Sequence, residues 1–176
     1  MTVTTLRFIG AMTVFALGAV AGDGYKRNDN NGNNGNNATF QSSVIGSNPG
    51  LTVGGVNSGG AAWAVREGHA SITPNGRVHV EVQGLLLGGT GTTGPVTMVG
   101  ATLVCGGTGG ATVAVADTAI TPSPLSSSGN AQIDEKVTLP ESCFGPVVLV
   151  RSFNASAPLG SQLGVFIAAT GLGTER

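Results

Sequence analysis

Two histidines, His69 and His79, limit the acid–base chemistry open to this chain. A Ser–His–acid or Cys–His site needs an imidazole to move its proton. Asp117, Asp134 and Glu135 are the acids that loops could bring to those histidines, and Ser71 and Glu81 are their neighbours on adjoining strands. Against that reading, no serine sits in Gly-x-Ser-x-Gly and no His-Glu-x-x-His occurs. The segment Gly89-Thr90-Gly91-Thr92-Thr93-Gly94 spells GxGxxG, but Pro95 and a β-type run follow it. Without a helix N-terminus there is no dipole to hold a pyrophosphate. Gly106-Gly107-Thr108-Gly109-Gly110 is a second glycine loop, and no Gly-Lys-Ser/Thr follows either one. Acidic residues could furnish a glycosidase pair, yet with eight aromatics in the whole chain a sugar-stacking cleft is not expected. Trp63 reads as a core plug. No catalytic residue, cofactor or metal site is expected.

Cys105 and Cys143 take their meaning from the compartment. Met1–Arg7 carries one positive charge, and Phe8–Ala21 is an apolar run of fourteen residues closing on Ala19-Val20-Ala21. That is the small-x-small pattern of a signal-peptidase site, and fourteen residues rise only about 21 Å as a helix, short of a bilayer core. The expectation is therefore a signal peptide over 1–21 and no membrane span after cleavage. Residues 22–39 form an Asn/Gly-rich, disordered spacer that cannot bury enough surface to offset its ordering entropy. In an exported chain an even cysteine pair reads as a disulfide, and two sulfurs alone are too few for structural zinc. Asn37 and Asn154 each begin a glycosylation sequon, which matters only in a host that glycosylates.

The elements that must position these residues read as strands. From Phe40 onward, candidates are Phe40–Ile45, Leu51–Val56, Trp63–Thr73, Arg77–Leu87, Val96–Cys105, Ala111–Thr121, Ala131–Leu139, Val147–Phe153 and Leu163–Thr170. Turn residues separate them at roughly ten-residue spacing, and no window offers a capped amphipathic helix. The fold class is all-β: an antiparallel β-sandwich of Ig-like or Greek-key type with about seven to nine strands, a single domain over 40–176. Val147-Val148-Leu149-Val150 is continuously apolar, the mark of a central strand covered on both faces.

One hairpin can be taken to the residue. Pro74-Asn75-Gly76 suits a three-residue bulged loop that pairs Thr73 with Arg77. Ile72 then faces Val78, Ala70 faces Val80 and Gly68 faces Val82, all directed into the core. Glu67, His69, Ser71, Arg77, His79 and Glu81 share the opposite, wetter face. A one-residue slip would bury polar side chains against the valines, so register follows from face.

Composition sets the remaining bounds. The 176 residues carry a net charge of −1, with 10% charged, 40% hydrophobic and thirty glycines. Near-neutral charge lacks the basic surface that nucleic-acid binders use. A mean hydropathy of +0.24 excludes a wholly disordered chain.

Trp63-Ala64-Val65-Arg66, Leu103-Val104-Cys105, Gly129-Asn130-Ala131-Gln132-Ile133, Val137-Thr138-Leu139-Pro140 with Cys143, Pro146–Val150 and Phe166–Gly171 together resemble a group of small secreted β-rich proteins of soil bacteria. The resemblance covers about 110 residues and places both cysteines on that group's pair; it brings no activity or ligand. A looser similarity of Gly68–Gly84 to the secreted CHRD module is not adopted, since the His-containing motif is absent upstream of Gly94-Pro95-Val96. The expectation is a secreted or cell-surface structural or interaction module that contacts cell-wall polysaccharide or another extracellular protein, with the face of Glu67, His69, Ser71, His79 and Glu81 as its polar surface. The alternative is a secreted hydrolase or inhibitor with a loop-built site near His69 or His79.

Overall fold

The computed structural model describes residues 40–106, 112–117, 122–140 and 143–171, with 112–117 described by backbone alone. The signal-peptide and spacer readings, and Asn37, lie outside the described residues. Thirteen strands and no helix occur among those described: β1 Phe40–Gly46, β2 Thr52–Val53, β3 Val56–Asn57, β4 Trp63–Ala64, β5 Glu67–Ile72, β6 Arg77–Gln83, β7 Leu86–Leu87, β8 Met98–Gly106, β9 Thr112–Asp117, β10 Ser123–Pro124, β11 Ala131–Lys136, β12 Phe144–Phe153 and β13 Leu163–Thr170. Eight have six or more residues, as the sequence spacing implies; the other five are two-residue pieces that it does not reveal.

All ladders between these strands are antiparallel, and nine strands form one sheet in the order β10-β8-β12-β13-β1-β5-β6-β11, with β9 also on β8. That sheet folds over into two layers, and β1 is the corner. Its first half, Phe40–Ser43, pairs with β5, while Val44–Gly46 pairs with β13. The first layer is therefore the start of β1 with β5, β6 and β11; the second is β9 and β10 with β8, β12, β13 and the end of β1.

Side-chain alternation explains the first layer. In β6, Val78, Val80 and Val82 are 1–2% exposed, while their neighbours face water or are half-buried. Ala70, Ile72 and Ile133 join them against Val99, Ala101, Leu103, Val148, Val150 and Ile167 of the second layer. Trp63 is buried in this core, as a plug should be.

The middle of the second layer, at β12, is buried on both faces. Val148, Leu149 and Val150 are fully buried in β12, which lies between β8 and β13. Leu149, Phe166, Ala169 and Val104 form a smaller outer cluster, with Val53 and Val56 of the β2–β3 hairpin packed on it. Leu51–Val56, expected as one strand, is thus a hairpin. Gly54 and Gly55, with φ of 57° and 79°, make its turn, a conformation that L side chains rarely adopt.

The Trp63–Leu87 hairpin has the expected register throughout. Ile72 opposes Val78, Ala70 opposes Val80, and Gly68 opposes Val82. The Thr73 amide donates to the Arg77 carbonyl at 3.0 Å, and Gly76 takes φ of 83°. The ladder is interrupted once, at Val65-Arg66 and Gly84-Leu85, so β4 and β7 form a separate two-residue rung.

Cys105, near the end of β8, and Cys143, just before β12, form a disulfide with their Cα atoms 4.8 Å apart. Phe144 opposes Gly106 immediately beyond it, so the bridge clamps two adjacent strands of the second layer.

Candidate functional site

The outer side of the first layer collects the polar residues that the sequence singles out. Glu67, His69 and Ser71 stand on β5; His79 and Glu81 stand on β6. Ladder pairing sets Ser71 beside His79, His69 beside Glu81, and Glu67 beside Gln83. On one side the face continues through Gln41 and Ser43 of β1, opposite Ser71 and His69. On the other it continues through Gln132, Asp134 and Lys136 of β11, opposite Glu81, His79 and Arg77. Period-two alternation on four strands thus turns one side of a core into a broad polar surface.

Asp134 is the electrostatic focus. Arg77 Nε donates to Asp134 Oδ1 and Nη2 to Oδ2, both at 2.6 Å, a two-pronged grip. His79 Nδ1 lies 3.9 Å from Asp134 Oδ2, beyond hydrogen-bond reach. The hydrogen bonds from Arg77 hold the Asp134 carboxyl below the usual carboxylate range, partial desolvation opposes this, and the charges of Arg77 and His79 add to the lowering. The same bonds raise the Arg77 guanidinium further. Elsewhere on the face, Gln83 Nε2 donates to Glu81 Oε1 at 3.4 Å, and Arg66 Nη2 donates to Gln83 Oε1 at 3.3 Å.

Of the acids considered for a histidine site, Asp134 alone shares this face with His79. Glu135 pairs with Val78 and falls on the other side of β11 by alternation. Asp117 is placed by its backbone opposite Thr102 in the second layer, and its side chain lies outside the described residues. No hydrogen bond joins Ser71 to His79 among the described residues, and Asp134 turns both its oxygens to Arg77. A shallow, open depression of about 520 Å3 marks the end of the face and is lined by Glu81, Gln83, Asn130 and Gln132 but by neither histidine. Among the described residues no three metal-ligating side chains converge, and no helix is long and apolar enough to cross a membrane.

The Arg77–Asp134 pair is what reading the sequence missed. The sequence places Arg77 on the wet face and Asp134 among the candidate acids, but nothing local says that β11 lies beside β6. The signal available was the alternation Gln132-Asp134-Lys136 against Ala131-Ile133, which marks β11 as a strand with a charged side in need of a partner.

Compared with known proteins, the chain matches no family model, no curated protein and no solved structure.

Proposed function

We propose that this is a secreted or cell-surface, non-catalytic interaction module that meets an extracellular partner through the outer face of its first layer. The observation that carries this reading is the gathering of Glu67, His69, Ser71, His79 and Glu81, with Gln41, Gln132, Asp134 and Lys136, on one open surface of mixed charge. A surface of that kind suits contact with another macromolecule more than enclosure of a small substrate. Export is supported by the apolar N-terminal run and by the disulfide, which persists in oxidising compartments. The resemblance to small secreted β-rich proteins of soil bacteria points the same way. The hydrolase alternative draws no support from His79, because Arg77 occupies the carboxylate that it would need.

The test is a pull-down of extracellular and cell-wall fractions by the purified protein, alongside a His69→Ala, Glu81→Ala, Gln132→Ala variant. A partner retained by the parent protein and lost by the triple variant supports the reading. Equal retention by both would refute the face, and turnover of ester, peptide or glycoside substrates that His79→Ala abolishes would favour an enzyme.

A further inference from the structure

A second concavity lies away from that face, where the chain entering β8 runs beside the turn between β12 and β13. It is half-open to solvent, with a volume of about 590 Å3. Its polar lining comes from Thr97, Ser152, Asn154, Ser161 and Gln162, and its apolar lining from Val96, Met98 and Phe153. Not one of its lining residues is charged.

The turn forming one wall is internally braced. The Asn154 amide donates to the Gln162 carbonyl at 2.9 Å, and the Ser156 amide donates to Asn154 Oδ1 at 3.0 Å. The Ala157 amide donates to the Asn154 carbonyl at 3.1 Å, and the Ser161 amide to the Pro158 carbonyl at 2.9 Å. Ser152 and Gln162 are half-buried and so held at the base, while Thr97 and Ser161 stand at the exposed rim.

The chemistry of this lining selects its ligand. Among the described residues the lining offers no countercharge, so an ion would have only neutral dipoles to offset its lost hydration, and a neutral ligand is favoured. Hydroxyl and carboxamide groups each donate and accept, so they suit a ligand that also does both at short intervals. A neutral pyranose chain does so, and its C–H faces match the strip of Val96, Met98 and Phe153. We propose that this groove binds a neutral oligosaccharide. One aromatic ring gives little stacking, so binding rests on hydrogen bonds and is weak for a single chain. No acidic side chain among the described residues lines the groove, so these residues hold the glycan without a general acid or nucleophile to cleave it. The proposal shares only export with the reading above and uses a different surface.

The purified, disulfide-bonded protein would be titrated with cellohexaose, chitohexaose and maltohexaose, with hexagalacturonate as the charged control, following backbone amides by NMR. At least one neutral hexasaccharide should give saturable shifts at Ser152, Asn154 and Gln162 by about 10 mM, a weak but measurable affinity. Hexagalacturonate should give none. Gln162→Ala and Thr97→Val, each removing hydrogen-bonding capacity while leaving the backbone bracing in place, should weaken binding by about fivefold or more. Ser127→Ala, in the exposed turn before β11, should leave it unchanged. Absence of saturable shifts with all three neutral sugars, shifts confined to the first-layer face, or binding undiminished in both folded groove variants would each overturn the proposal.

Discussion

Asp134 faces two nitrogen-bearing side chains across the β6–β11 ladder, and the geometry awards it to one. Arg77 reaches it with two bonds, while His79 stays at 3.9 Å. The pair is open to solvent, with side-chain exposures of 54% for Arg77 and 34% for Asp134, so screening keeps its contribution small. Its sign is fixed all the same. The folded-state pKa of Asp134 is lowered, so the pair stabilises the fold above the ordinary carboxylate pKa and stops doing so as pH falls through the depressed value. Asp134→Asn should therefore lower stability slightly at neutral pH and not at all below the depressed value, so the acid limb of a stability–pH curve measured by urea unfolding flattens by that same small amount. A second prediction contrasts neighbours on one strand. His79→Ala, on the wet face, should alter stability by no more than about 0.5 kcal/mol. Val80→Asp loses about 1.5–3 kcal/mol of apolar burial and adds a buried charge, so it should unfold the domain or nearly so. The same urea titrations decide it, and a damaging His79→Ala with a tolerated Val80→Asp would invert the face assignment.

At the scale of elements, the three-residue turn shows why Gly76 is needed twice over. Its φ of 83° is strained for L side chains, and a Cβ there would lie 2.0 Å from the Val137 carbonyl oxygen. Gly50 has nearly the same φ, 79°, but nothing within 4 Å of its missing Cβ. Gly50→Ala should therefore cost about 1 kcal/mol from backbone strain alone, and Gly76→Ala clearly more, because the chain at Val137, just past β11, must also move away. Comparing the two melting curves measures the close approach of Val137 separately from the strain. The turn was legible in the sequence because Pro-Asn-Gly chemistry and valine alternation are local and agree with each other. The β2–β3 hairpin was not, since Leu51-Thr52-Val53 and Val56 read as one apolar run until Gly54-Gly55 is given its turn geometry. Strand order was also beyond local reading. That β11 flanks β6, and that β1 divides its partners between β5 and β13, depends on which faces meet across the core. The same limit hides the Arg77–Asp134 pair and the uncharged groove, whose walls, Pro95–Met98 and Ser152–Gly164, are far apart in the chain.

For the molecule as a whole, the disulfide joins strands that sit side by side but are 38 residues apart in the chain. Closing such a loop restricts the unfolded chain and stabilises the fold by about 4 kcal/mol in the chain-entropy account. A domain of this kind has about 5–15 kcal/mol in total, so reduction should lower its melting temperature by many degrees without changing its β spectrum at room temperature. Alkylation followed by intact-mass measurement should find both thiols blocked before reduction and reactive after it. The corner strand β1 has a mechanical consequence. β1 and β13 run antiparallel with Val44 opposite Thr170, so the chain leaves the described fold at Phe40 and Gly171 toward the same end of that pair. Tension applied between those two points would peel β1 away one rung at a time, first from β5 and then from β13, rather than shear a whole ladder at once. A fold hung in that way opens like a zip, yielding length under modest pull while the disulfide-clamped strands β8 and β12 lie away from the line of force.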